Sequence, residues 1–146
     1  MTLDQFHRRI TDAGTQWLAS TRDPLDKCDD IMSSRIEQNF RRAATAENWK
    51  WPPRKDNLPH PLLIKSGLMM TAALYSVWYP DPQSVEHGVD LDKVPYARAQ
   101  QKGRAEINLP PRPFLGVNEA DLVAMEEAVA DYAVETFLVE AGGGNG

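Results

Sequence analysis

The side chains that could carry chemistry in this 146-residue chain are few and far apart. His7, His60 and His87 are well separated, and none stands at helical i, i+4 spacing with a second metal ligand. Cys28 is the single cysteine, which excludes an intrachain disulfide and a cysteine-only metal site. It falls between Leu25 and Met32 on an apolar helical stripe, where it reads as a small buried hydrophobe and not as a nucleophile. The acidic pairs Asp29-Asp30 and Glu126-Glu127 are sequence neighbours. On a helix they diverge by about 100°, so neither forms a catalytic dyad. No Walker loop, GxSxG elbow, HExxH or GxGxxG occurs. The expectation is a protein that is not an enzyme and needs no cofactor, metal or small-molecule substrate.

One constellation points toward nucleic acid. Trp49, Trp51, Trp78 and Tyr79 accompany Lys50, Arg54 and Lys55, and basic residues interleaved with aromatic rings are the ingredients of a base-stacking platform. The alternative is that tryptophans flanking the Pro52-Pro53 corner pack over the edge of a core. A small nucleic-acid-binding accessory protein is therefore the competing reading from another functional class.

Spacing of apolar residues gives the elements that must position these groups. Phe6, Ile10, Ala13 and Trp17 share one face of a first helix predicted over Leu3–Ser20. Leu25, Cys28, Met32, Ile36, Phe40 and Ala43 do the same in a second, predicted from Pro24 to about Ala46 with Asp23 as its N-cap. Prolines concentrate between Pro52 and Pro113, which predicts an irregular middle of strands and loops. There, Leu62–Ala73 is expected to be a short helix and Leu74–Tyr79 a strand. A second strand around Val85–Val89 would complete a hairpin through the Asp81-Pro82 corner. Tyr96–Lys102 reads as a helical turn closed by Gly103, and Ala105–Leu109 as a strand stopped by Pro110-Pro111. Asn118 with Asp121 three residues on predicts a capping box opening a last helix to about Leu138. Leu122, Met125, Val129, Tyr132 and Ala133 form its predicted apolar face. The fold class expected is α+β: long N-terminal helices and a C-terminal helix packed on a small, mainly antiparallel sheet. Residues 1–140 form one domain, and 141–146 a flexible Gly-rich tail.

Charge is unevenly placed. Residues 1–50 carry eight basic and eight acidic side chains, and residues 51–114 eight and six. From Leu115 onward there are seven carboxylates and no Lys or Arg. The net charge of −5 gives the whole chain no pull on nucleic acid, whereas segments of opposite local sign favour head-to-tail packing of copies. No basic segment followed by an apolar run opens the chain, so no secretory signal is expected. No apolar stretch approaches the roughly 20 residues of a membrane span.

The sharpest motif is Leu109-Pro110-Pro111-Arg112-Pro113-Phe114-Leu115-Gly116 followed by the capped acidic helix. It resembles the signature of the phage virion morphogenesis family, the group of the Mu-like G protein and of tail-completion proteins. That signature reads approximately I/L-P-x-R-P-F-L-G-L-S-x-x-D. Arg112, Pro113, Phe114, Leu115, Gly116 and Asp121 stand at matching places, and Val117-Asn118 replaces the usual Leu-Ser. Looser similarities follow in the family's order: Trp51-Pro52-Pro53, Leu63–Met69, Val85–Gly88 and Tyr96-Ala97. Arg98–Gly103 departs from the family's usual continuation.

The resemblance implies a structural protein of the virion at the head–tail junction, made in the host cytoplasm. It would be a tail-completion or neck ring, expected as a homohexamer contacting adjacent connector and tail proteins, with genomic DNA passing through its lumen unread. A tail terminator capping the tail tube is the alternative within the class. Arg112, Pro113, Phe114 and Leu115, with Asn57 and His60 in the loop, are the candidate subunit or ring contacts. Arg112 is expected to clamp a carboxylate, and the corner reads equally as one that closes the domain's own core. The sheet is expected to form the ring body, with Asn57–His60 and the Gly-rich tail touching neighbouring rings.

Overall fold

The computed structural model describes residues 2–19, 21–56 and 58–142. Its helices and small antiparallel sheet make the α+β arrangement that the sequence predicts. Helix α1 spans Leu3–Ala19 and α2 spans Arg22–Arg42. Helix α3 is Leu68–Tyr75, and the strands β1 (Val77–Trp78) and β2 (Glu86–His87) follow it. Helix α4 is Ala97–Lys102 and α5 is Glu119–Gly142. A 3-10 turn at Ala105–Ile107 precedes the proline segment.

The α2 stripe is realised, with Cys28, Ile36 and Phe40 buried, but its bounds differ from Pro24–Ala46. The helix begins at Arg22 because Thr21 is pinned first: its N–H and Oγ1 both donate to Pro82 O, at 3.1 and 3.2 Å. Asp23 is thus a first-turn residue and not the cap, and Pro24 sits where a missing N–H costs nothing. The helix stops at Arg42 because Ala43 turns left-handed (φ 49°), a C-cap conformation usually given to glycine. The reversal lets the chain double back, with Trp51 N–H donating to Ala43 O at 2.7 Å. Trp51 thereby lands on the core.

That core consists of Ile36 and Phe40 from α2, Met69 and Ala73 from α3, and Val94, Ala97, Trp51 and Phe114. Three rings organise it: Phe40 meets Trp51 edge-on at 5.8 Å and Phe114 at 5.3 Å between centroids. Helix α5 packs along α2 and α1, with Trp17 against Tyr132 at 5.6 Å. Two residues expected on buried faces, Phe6 of α1 and Leu122 of α5, remain over 40% exposed (43% and 45%).

In the middle of the chain, the helix predicted from Leu62 starts only at Leu68, because Leu63 (φ 61°) and Gly67 (φ 77°) both take left-handed backbone. It then continues to Tyr75, over the first residues of the predicted strand. The hairpin forms as expected, with Val77 opposite His87 and Trp78 opposite Glu86. With two residues per strand it is a short tie. His87 anchors the tie: its buried Nδ1 lies 2.8 Å from Asp29 of α2, and its Nε2 faces the Ala73 carbonyl of α3.

Ala105–Leu109 is a turn and not a strand. Arg104 and Leu109 exchange both backbone hydrogen bonds, at 2.9 and 3.0 Å, and close the four residues between them. Pro110 and Pro111 have no N–H with which to extend the ladder. Gly103 enters this turn at φ 75°, where a Cβ would stand 2.8 Å from Leu109 O and Pro111 N. Gly103→Ala is therefore expected to destabilise the fold by about 1–3 kcal/mol, read as a lowered melting temperature. An unchanged melt would mean that the turn adapts freely.

Candidate functional site

The segment from Pro110 to Asn118 is irregular, and its prolines forbid a ladder, so its backbone polar groups need other partners. Side chains supply them. Gln101 Oε1 accepts from the N–H groups of Phe114 and Leu115 at 2.9 and 3.0 Å, and Gln101 Nε2 donates to Leu115 O at 3.0 Å. Asn39 Nδ2 donates to Phe114 O at 3.0 Å, and Trp51 Nε1 donates to Pro113 O at 2.9 Å. Asn118 Nδ2 reaches Ala46 O at 3.2 Å. The corner is thus laced to α2, to the Trp51 turn and to α4.

Arg112 and Phe114 are buried here. Phe114 fills the core, and Arg112 clamps carbonyls and not a carboxylate: Nε donates to Pro52 O at 3.0 Å and Nη2 to Pro53 O at 3.1 Å. Burial pushes this guanidinium below its ordinary range, and the nearby positive charge of Arg54 adds to that, with Asp56 opposing. Of the two readings of the corner, core closure is the one these two side chains exhibit. Pro113 and Leu115 are half-buried.

The capping box forms as predicted. Asp121 N–H donates to Asn118 Oδ1 at 2.9 Å, and Asn118 N–H donates to Asp121 Oδ2 at 3.0 Å. Asp121 is also gripped by Arg35 of α2 through two bonds of 2.7 and 3.1 Å. Burial alone would raise the Asp121 pKa. The Arg35 hydrogen bonds, the Asn118 N–H and the Arg35 charge outweigh it and hold the carboxyl below its ordinary 3.8.

Beside the corner opens a cavity of about 590 Å³ between the Arg54–Gly67 loop and the Ile107–Arg112 segment. Arg54, Lys55, Lys65 and Arg112 line it against one carboxylate, Asp56. Arg54 bonds Asp56 at 2.6 Å and lies 3.0 Å from His60 Nδ1, so His60 and Arg112 border the same cavity. Gln100 also lines it, and its buried Oε1 has no hydrogen-bond partner. Asn57 lies outside the described residues, as do residues 143–146 of the Gly-rich tail; Ala141 and Gly142 belong to α5.

The aromatic and basic residues of the nucleic-acid reading are taken up one by one. Trp51 is core, the Trp78 indole donates to Glu86 at 2.6 Å, and the Tyr79 ring lies 3.2 Å under the Arg22 guanidinium. Lys50 and Lys55 donate to the carbonyls of Arg42 and Asn108. Of the four rings Trp49 is the most exposed, at 75%, and Trp78 is 45% exposed.

Cys28 is buried against α5, and burial pushes its thiol pKa up. With one thiol in the chain, the expected result with an aromatic disulfide reagent is unambiguous: slow reaction when folded and rapid, stoichiometric reaction in denaturant. Rapid reaction of the folded protein would contradict this packing of α2 on α5. Among the described residues no cluster of three or more His, Cys, Asp or Glu could hold a metal ion, and no helix is long and apolar enough to cross a membrane.

Asn39, Gln100 and Gln101 do not stand out in the sequence as site residues. A polar Asn39 beside Phe40 in an apolar stripe, and the Gln-Gln pair where the resembled family continues differently, were the available signals. Compared with known proteins, the chain matches no family model, no curated protein and no solved structure.

Proposed function

We propose that this chain is a structural protein of a tailed bacteriophage virion, acting at the head–tail junction as a tail-completion or neck ring. The observation that carries the reading is the Arg112–Gly116 corner joined to the Asn118–Asp121 capping box, the part of the sequence most similar to the virion morphogenesis signature. Its physics suits the role. Three prolines pre-stiffen the segment, which lowers the entropy lost on ordering it. Side-chain hydrogen bonds then hold it rigid without a sheet. A ring that connects a filled head to a tail must keep its shape while DNA passes, and rigid corners between helices serve that end.

In this reading the chain assembles as a homohexamer between connector and tail proteins, with genomic DNA crossing the lumen without sequence recognition. A tail terminator on the tube is the alternative placement in the same class. A phage deleted for this chain is expected to accumulate filled heads and separate tails, with infectious titre restored by adding the purified protein to the mixed extract. Normal joined particles from the deletion strain would contradict the proposal.

A further inference from the structure

The outer face of α5 and the basic cavity beside Arg112 carry complementary features. Glu127, Asp131, Val134 and Leu138 follow one another at intervals of four, three and four, which places them on one helical face, and all four are exposed. Val134 is 56% exposed and Leu138 67%, so two apolar side chains and two carboxylates share an uncovered stripe. The cavity offers the converse. Lys55 and Lys65 are exposed on its lining, Arg54 is already paired with Asp56, buried Arg112 adds positive charge behind them, and the exposed apolar side chains Leu58 and Ile107 stand on its rim.

The far end of the stripe lies away from the cavity of its own chain. A helix rises about 1.5 Å per residue, which puts Leu138 roughly 25 Å along α5 from Asp121, whereas the cavity opens at the corner from which α5 starts. We propose that the outer face of α5 from one copy docks into the Arg54–Arg112 cavity of the next. Val134 and Leu138 meet the apolar rim, and Glu127 and Asp131 meet Lys55 and Lys65, in a helix-in-groove contact. Two different patches pair, so the contact is heterologous, and it generates a ring where the rotation between successive copies closes. The inference rests on the reading that the chain assembles with itself, and it names the surfaces that do so.

The test uses two full-length variants and sedimentation velocity. Glu127→Lys with Asp131→Lys makes the helix face basic, and Lys55→Glu with Lys65→Glu makes the cavity acidic. Each places like charges across the contact and is expected to weaken self-association on the order of a hundredfold. Mixed in equal amounts, the two variants are expected to assemble again, because each altered patch then meets its complement on the other. Restored assembly cannot arise from misfolding. Rings of unchanged mass from each variant alone would overturn this contact and leave the ring itself in place. A mixture that stays dissociated would also overturn it. A wild-type chain that is monomeric at every concentration would overturn self-assembly, and this contact with it.

Discussion

Replacing Phe114 by alanine is expected to cost about 3–5 kcal/mol of folding stability, the usual range for emptying an aromatic site in a packed core. Phe114 is almost fully buried, its ring meets Phe40, and Phe40 in turn meets Trp51. Truncation therefore removes one of three mutually packed rings. The backbone around the void is held at the Phe114 N–H by Gln101 and at its carbonyl by Asn39, so it has little freedom to collapse and fill it. Against a total stability of about 5–15 kcal/mol, such a loss brings the chain near its unfolding threshold. At about 2–4 °C per kcal/mol for a domain of this size, the melting temperature is expected to fall by roughly 10 °C. Virion yield should fall with it. An alanine variant that melts as wild type and supports full yield would remove the corner from the core as well as from the assembly.

The second large effect is expected at Asp121. Its side chain is 12% exposed and that of its partner Arg35 16%, so Asp121→Ala leaves a guanidinium almost buried without its carboxylate and also strips the acceptor from Asn118 N–H. Breaking a buried pair from one side costs about 3–5 kcal/mol. Replacing both partners with apolar residues of similar size is expected to recover most of that loss, because the larger part of the cost is the stranded charge. The pH dependence has a definite sign. The folded-state pKa of Asp121 lies below its ordinary 3.8, so the folded state holds the proton less tightly than the unfolded chain. Its contribution is complete above the unfolded value and is lost as pH falls through the folded one. Urea titrations of wild type and Asp121→Ala should therefore differ most near neutrality and converge in acid. A gap that widens on acidification would contradict the assigned pairing.

Much of this architecture was legible because it rests on local rules. The stripe from Leu25 to Ala43 repeats at helical spacing, and the Asn118–Asp121 box uses side chains three residues apart, so both could be read without knowing the rest of the chain. The errors came where distant contacts decide. Ala43 takes a left-handed cap although alanine is the best helix former, because the reversal delivers Trp51 to the core and core burial outweighs a local preference. Nothing near Thr21 announces that Pro82 will fix the start of α2 from 61 residues away. Ala105–Leu109 alternates weakly like a strand, yet the prolines after it leave Arg104 and Leu109 only each other as partners.

The candidate site was legible in the same partial way. Arg112–Gly116 stood out by residue type, but spacing alone gave no sign that Arg112 would grip the Pro52 and Pro53 carbonyls. The cavity was the least visible feature, since its cations come from three separate stretches of chain. Arg54 and Lys55 stand beside the tryptophans in sequence, whereas Lys65 and Arg112 are the cations that complete their surface.

The central claim is most directly tested by probing purified, DNA-filled virions with a labelled antibody against this chain and imaging them by electron microscopy. Label confined to the head–tail junction is the expected result. Complete absence of the chain from mature particles, with the epitope shown to be accessible in dissociated ones, would contradict the structural role and leave an assembly factor or a nucleic-acid accessory in its place.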